Sequence, residues 1–350
     1  MGQFNKTLEE LEATLANVGL TLFGVVQLGP EGSFGKFKEW LDEGGHAGME
    51  YMSSYLEVRK DSSKVFAGAK TAIVIGLNYN QEDKISDVKQ GPLVAQYARL
   101  RDYHKLLKTK GEEILKLLLD SYDGDASGKV IVDTAPVLER ALASRTKSGF
   151  VGKNTLFIHP KLGSFFLLSE IVTTIEIPID DANEVDPSVR GEEGGCGSCQ
   201  RCQINCPTGA LDKPYTLDAN KCISYWTIEH RGLIPKEYWP HVGKYVFGCD
   251  ICQLVCPYNR TAKQDANLHE IRRIEKRPNL YNMAVMNQSE YEKMFGGTPM
   301  TRAKRGGLMR NALIAMHVTN NSNYAAAVSR LAEIDAPQVV IDTIKDIEDS

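Results

Sequence analysis

All eight cysteines of the chain lie between residues 196 and 256, and their spacing is the strongest chemical statement the sequence makes. Cys196, Cys199, Cys202 and Cys206, followed by Pro207, read C-x2-C-x2-C-x3-C-P. This is the run with which bacterial two-cluster ferredoxins hold [4Fe–4S] cubes. Three closely spaced thiolates wrap one cube; the fourth, ahead of a helix-starting proline, points to the neighbouring one. Cys249, Cys252 and Cys256-Pro257 repeat the run one cysteine short, and Cys222 fills the gap. One cube then takes Cys196, Cys199, Cys202 and Cys256; the other takes Cys206, Cys222, Cys249 and Cys252. Two structural zinc ions would also use eight thiolates, and disulfides would need an oxidising compartment. Zinc leaves the two C-x3-C-P endings unexplained, and no export signal stands at the start of the chain. Two [4Fe–4S] clusters are therefore the favoured reading.

Other residues could do chemistry beside them. Asp133 closes the apolar run Lys129-Val-Ile-Val, at the carboxyl end of a strand, where open α/β sheets place ligands. An acid there caps the next helix or presents a proton to a substrate. Residues 149–154, a glycine-bearing loop with Lys153, could approach an anionic or amide-rich ligand, but neither G-x-G-x-x-G nor a P-loop occurs. Two cubes pass electrons singly, so the remainder of the chain should hold a second cofactor or a docking substrate, with flavin and corrinoid as candidates. Asp102-Tyr103-His104 begins like the corrinoid motif D-x-H-x-x-G, yet Leu107 occupies the glycine position. His104 is accordingly read as a surface or capping residue, and His46 as an exposed loop residue. In residues 301–311, Arg302, Lys304, Arg305 and Arg310 mix with two glycines, which fits a phosphate site or a solvated loop equally.

The elements that must position these groups follow from periodicity. At 350 residues, 42% hydrophobic and 25% charged, the chain has room for two or three domains. Helices are expected over 4–19 and 103–119, and strands over 20–26, 72–79, 129–133, 155–158 and 164–174. Pro136 is expected in the first turn of a helix running to 145. The pattern describes an α/β domain with its sheet between helices. Residues 310–317 and 324–334 look like amphipathic helices, and a last helix spans 337–347. The net charge of −4 argues against nucleic-acid binding by the whole surface, but residues 258–310 hold eleven basic against five acidic side chains. Residues 176–195, with seven acids and one base, read as a solvated linker. No apolar run reaches the ~20 residues of a membrane span, and the clusters suit the cytoplasm.

Taken together, the residues resemble the epoxyqueuosine reductase family over nearly the whole chain. The resemblance rests on the cysteine run through Leu211, Cys222-Ile-Ser224, Gly248 to Pro257, Val132-Asp133-Thr134 with Glu139-Arg140, Gly149-Phe150 with Lys153-Asn154, and Arg310-Asn-Ala312. It implies a multidomain α+β/α/β chain: an α/β cobalamin-binding domain over 1–185, similar to reductive dehalogenases; a ferredoxin-like two-cluster domain over 186–262; and a basic helical region over 263–350 that contacts tRNA. It also implies base-off cobalamin beside Arg59, Asp133, Lys153, Asn154, Ser224 and Asp250. Electrons from a donor such as flavodoxin or ferredoxin would pass both cubes to cobalt. Epoxyqueuosine at the wobble position of tRNAs with GUN anticodons would become queuosine, with Asp133 as proton donor. Arg140, Arg302, Lys304, Arg305 and Arg310 would bind the tRNA, and the enzyme would act as a monomer. Many members carry a longer helical tail, whereas this chain ends about 40 residues after Arg310. A dehalogenase and a ferredoxin-like electron-transfer module are the competing readings.

Overall fold

The computed structural model describes residues 8–81, 83–178, 195–260, 262 and 272–350. Most of the acidic stretch expected as a linker lies outside them. The first half is built on a four-stranded sheet of β1 (Thr21–Gln27), β2 (Thr71–Asn78), β3 (Gly128–Ile131) and β4 (Phe166–Thr173), in the order β1-β2-β4-β3. Every residue of β2 except Asn78 is buried. Ile73, Ile75 and Leu77 pack with Leu15 of α1 (Leu8–Asn17) and Leu107, Ile114 and Leu118 of α2 (Tyr103–Asp120). Ala72 and Val74 face the other way, against Leu142 and Ala143 of α3 (Glu139–Arg145) and Phe157. Successive side chains of a strand point to opposite faces, so a strand covered twice must be apolar throughout, as the sequence indicated.

The sheet itself corrects the α/β expectation. All three of its pairings are antiparallel. A strand covered by helices on both faces reads as the same apolar run in either orientation, so composition could not separate the two. The site-forming geometry survives the correction. Because β2 and β3 both run antiparallel to β4, their carboxyl ends meet at the start of β4, with Asn78 opposite Phe166 and Ile131 opposite Glu170. Two local expectations also change. Asp133 adopts φ +49°, and the chain turns through residues 134–138 before α3 begins, leaving Pro136 outside the helix. Residues 150–151 pair with 157–158 as a hairpin, so the glycine-bearing segment is partly strand.

The cysteine-bearing segment docks on this half. Its strand Tyr245–Phe247 pairs parallel with residues 93–94, and short helices Arg201–Asn205 and Ile251–Leu254 carry two of its cysteines. The chain then closes with α4 (Lys304–Val318), α5 (Tyr324–Leu331) and α6 (Gln338–Glu348). In α4, every residue from Gly307 to Met316 is buried. It is a central helix surrounded by Val246, Met283, Leu331 and Val340, which corrects the amphipathic reading. The basic stretch is likewise no loop: it forms a 3-10 turn, Pro299–Ala303, leading into α4.

Candidate active site

No cysteine is bonded to another. Cys196, Cys199 and Cys202 are electrostatic neighbours of one another and of Cys256, and these four line one groove with Lys153, Asn154 and Tyr258. Cys206, Cys222, Cys249 and Cys252 form a second set of mutual neighbours, and Cys252 also faces Cys202. The two quartets therefore adjoin. Burial raises the thiol pKa in both sets, a penalty that metal coordination reverses by holding the thiolate.

A cavity of about 260 Å³ opens where β2 and β3 end, lined by Tyr79, Tyr103, Asp133, Glu139, Arg140, Ser164 and the first residues of β4. Its wall reaches the second quartet. Tyr79 Oη accepts from Gln253 Nε2 at 3.0 Å, and Ser164 Oγ donates to Gln253 Oε1 at 3.0 Å; Gln253 follows Cys252 directly in the chain. Tyr79, on the cavity wall, is itself an electrostatic neighbour of Cys252.

Asp133 lies at the cavity's acid–base centre. Tyr103 Oη donates to its Oδ2 at 3.0 Å, His104 Nε2 lies 3.2 Å from the same oxygen, and the Asp133 amide donates to Glu139 Oε1 at 2.6 Å. The Tyr103 and His104 rings stack with centroids 4.2 Å apart. The hydrogen bond from His104 is the largest influence on Asp133 and, with that from Tyr103, holds its carboxyl below the usual range against partial desolvation. The direction is opposite to the raised value that suits a carboxyl acting as an acid near neutral pH. Glu139 moves the other way, to about 8, pushed first by burial and then by the charge of Asp133. Across the rim, the Arg302 guanidinium sits 5.1 Å from the Tyr51 ring centre and pairs with Glu229 at 2.9 Å.

The remaining candidates divide. Lys153 Nζ donates to Gly197 O at 2.5 Å, and its amide lies 3.4 Å from Cys196 Sγ, beside the first quartet. Asn154 is buried with its Nδ2 unpartnered. Ser224 hydrogen-bonds Cys222. Asp250 is buried, accepts from Gln96 N at 2.8 Å and faces Arg99. Arg59 donates to Ser54 O and lies over Phe37. Arg140 donates to Thr155 O at 2.6 Å on the cavity wall. Lys304 is exposed, and Arg305 is tied to the carbonyls of Met286 and Asp335.

Arg310 is a correction. Its side chain is fully buried and donates to the carbonyls of Trp226, His230 and Gly232 and to Asn311 Oδ1. It cannot reach a phosphate. His104, read as a surface or capping residue, does lie in the cap of α2, but its ring also sits between Asp102 and Asp133. The Asp-x-His spacing that failed as a corrinoid motif was its only signal. Asp102 caps α2 through the His104 amide, which turns the ring toward the end of β3. His46, read as exposed, packs on Trp40 with a buried Nδ1.

A paired-cysteine unit on a helix-covered sheet, with an acid–base cavity at its border, defines an iron–sulfur oxidoreductase. The 4Fe-4S double cluster binding domain matches residues 195–259, and the family described as epoxyqueuosine reductase QueG, DUF1730, matches residues 59–134. The chain is 33% identical over 340 residues to the epoxyqueuosine reductase of Shewanella oneidensis, covering 94% of this chain and 83% of that protein. It is 32% identical over 314 residues to that of Cyclobacterium marinum, covering 89% and 97%. The chain belongs to the epoxyqueuosine reductase family. Its fold is similar to the crystal structure of epoxyqueuosine reductase with a tRNA-Tyr epoxyqueuosine-modified stem loop, with a TM-score of 0.82 and 25% identity over 96% of this chain and 88% of that one. A Bacillus subtilis structure with TM-score 0.80 and 26% identity has its catalytic aspartate loop swung out of the active site.

Proposed function

We propose that this enzyme reduces epoxyqueuosine to queuosine in tRNA, with electrons entering through the two clusters and Asp133 delivering the proton. The observation that carries the reading is the position of Asp133, on a cavity whose wall residue Tyr79 is bonded to Gln253 and is an electrostatic neighbour of Cys252. Cys196, Cys199, Cys202 and Cys256 would hold one cube, and Cys206, Cys222, Cys249 and Cys252 the other.

Buried donors beside the two quartets also fit a corrinoid. Asn154 Nδ2, Gln96 Nε2 and Tyr245 Oη are buried without acceptors, and a macrocycle fringed with amide carbonyls supplies acceptors. Asn154 would hold it, whereas Lys153, Arg59, Ser224 and Asp250 already have partners within the protein and would support it from behind. When bound, base-off cobalamin supplies a strong reductant for C–O cleavage. Tyr103 orients the Asp133 carboxyl, Glu139 fixes its backbone, and Arg302 with Tyr51 forms the rim that a flipped-out nucleotide would cross. Arg140, Lys304 and Arg305 offer further positive charge to the tRNA backbone. A dehalogenase gains no support, since the relatives are epoxyqueuosine reductases; an electron-transfer module leaves the cavity without a task.

The test is anaerobic turnover on tRNA carrying epoxyqueuosine. Wild-type holoenzyme should yield queuosine, and Asp133→Asn should lose on the order of 10²-fold or more in rate while keeping its iron and corrinoid content. Undiminished turnover by Asp133→Asn would remove it as the acid.

A further inference from the structure

Asp133 as found is poorly loaded for its task. An ionised carboxylate has no proton to give, and two hydrogen bonds and a nearby cation favour the ionised form. The proton must be stored close by. His104 Nδ1 lies 2.8 Å from Asp102 Oδ1, and its Nε2 lies 3.2 Å from Asp133 Oδ2. Carboxylates accept only, whereas a neutral imidazole donates from one nitrogen alone. A neutral ring between two ionised aspartates would therefore set a lone pair against a lone pair. Either the ring carries both protons, or one of the two aspartates carries one; with Asp102 ionised, the choice lies between the ring and Asp133. The two states hold the same number of protons and differ by one transfer across a single hydrogen bond.

We propose that His104 is the proton-loading residue of this site, storing a proton at Nε2 and passing it to Oδ2 of Asp133 for delivery to the substrate oxygen. The inference rests on the reading of Asp133 as the acid and deepens it. Converting an epoxide to an alkene and water takes two electrons and two protons. The electrons arrive through the clusters from a one-electron donor. The protons arrive in two passes: Nε2–H breaks as Oδ2–H forms, then Oδ2–H breaks as the new bond to the substrate oxygen forms. Each pass leaves His104 neutral, with its remaining proton on Nδ1 donated to Asp102. The ring is 35% exposed, so water can reload it.

The surrounding charges agree with this direction. The hydrogen bond to Asp133, and then that to Asp102, raise the pKa of His104 against partial burial. Tyr103 donates to the same Oδ2, and Glu139 and Arg140 approach from α3. Arg302 and Tyr51 face Asp133 from the opposite rim, with Glu229 paired to Arg302. Tyr97 and the buried Glu170 lie behind it. Of these, Glu139, at about 8, and Glu170, raised well above its ordinary value, are further carboxyls that the surroundings push toward the protonated form, so the test must identify the imidazole itself.

The experiment compares wild type, His104→Gln, Asp102→Asn and Asp133→Asn as anaerobic holoenzymes. It uses single turnover on an epoxyqueuosine-bearing stem loop across pH, together with ¹⁵N-histidine NMR. Glutamine still hydrogen-bonds Asp133 but does not titrate, and asparagine still caps α2. Wild type should hold its rate through neutral pH and decline above it. His104→Gln should keep iron content and stem-loop affinity, run about tenfold or more slower, and lose about tenfold per pH unit. Asp102→Asn should move the wild-type decline to lower pH. The His104 ring should titrate above its ordinary value in wild type and fall in Asp133→Asn. A wild-type rate and pH profile in His104→Gln would overturn the relay while an inactive Asp133→Asn leaves the acid in place; so would a His104 that titrates at or below the ordinary value. Full activity in Asp133→Asn would overturn both.

Discussion

At the scale of single residues, the same charge serves different ends according to what surrounds it. Arg310 and Arg302 both belong to the basic stretch, yet only Arg302 faces the site. Arg310 is enclosed by carbonyls with no carboxylate, and burial brings its pKa down to about 9. Its donors bond the carbonyls of Trp226, within the π-helical turn Tyr225–Glu229 that follows Cys222, and of His230 and Gly232 just after it. Asn311 extends the clamp, donating to Thr227 O at 2.8 Å and Val246 O at 2.9 Å. The pair thus holds the approaches to Cys222 and Cys249. Arg310→Met should cost about 3–5 kcal/mol, because three buried carbonyls lose their donors, as read by denaturant unfolding of the holoenzyme. It should leave the salt dependence of tRNA binding unchanged; a reduced salt slope would return Arg310 to the phosphate contacts. The His104–Asp133 pair carries its own pH window. His104, raised in the folded state, contributes below its unfolded value and loses that contribution as pH rises through its folded value. Asp133, depressed, contributes above its unfolded value and loses it as pH falls through its folded one. Their attraction is therefore greatest between the two.

At the scale of elements, the site depends on how closely α2 lies on β3. Gly111 faces Val130, and a Cβ there would come within 2.7 Å of Val130 Cγ1. The contact sets the distance between the start of α2, which carries His104, and the end of β3, which leads to Asp133. Gly111→Val should destabilise the fold by about 1–3 kcal/mol through overpacking, although a glycine inside a helix is otherwise unfavourable by about 1 kcal/mol. It should also slow turnover in the folded fraction; thermal unfolding and single-turnover rates check the two effects, and a stabilised variant would refute the close-approach argument. The apolar runs of β2 and β4 and the stripe of α2 were legible in the sequence because burial imposes a period on them. The cysteine quartets were legible because ligation imposes a spacing. The antiparallel order was not, since a doubly covered strand has the same composition in either orientation. Nor was α4, whose all-round burial removes the amphipathic pattern, and its cations looked like surface. The ring contacts of His104 were missed for a related reason: its two carboxylate partners come from different elements, and only one is near in sequence.

At the scale of the whole molecule, a chain of net charge −4 must still hold a polyanion. The burial of Arg310 narrows the proposed cationic surface. Arg302 and Lys304 remain exposed, Arg305 is half-buried, and Arg302 already pairs with Glu229. Lys304 has no ion pair among the described residues, and its φ of +62° sets it at the junction between the 3-10 turn and α4. Arg302 lies over Tyr51 and faces Asp133, and Lys304 and Arg305 stand two and three residues further along the chain. Each phosphate neutralised should release counterions and add about 0.9 to the slope of log affinity against log salt for duplex, or about 0.7 for single strand. Reversing Arg302, Lys304 and Arg305 to glutamate should therefore lower that slope by about two to three and weaken binding at low salt most strongly. Arg302 should contribute least to the slope, because Glu229 neutralises it before the RNA arrives, and most to turnover, because it faces Asp133. Stem-loop titrations over a salt series, with each single variant beside the triple, separate these roles. A triple variant with the wild-type slope would move the RNA-binding face elsewhere, while Arg302→Glu with an unchanged turnover rate would detach the rim from the chemistry.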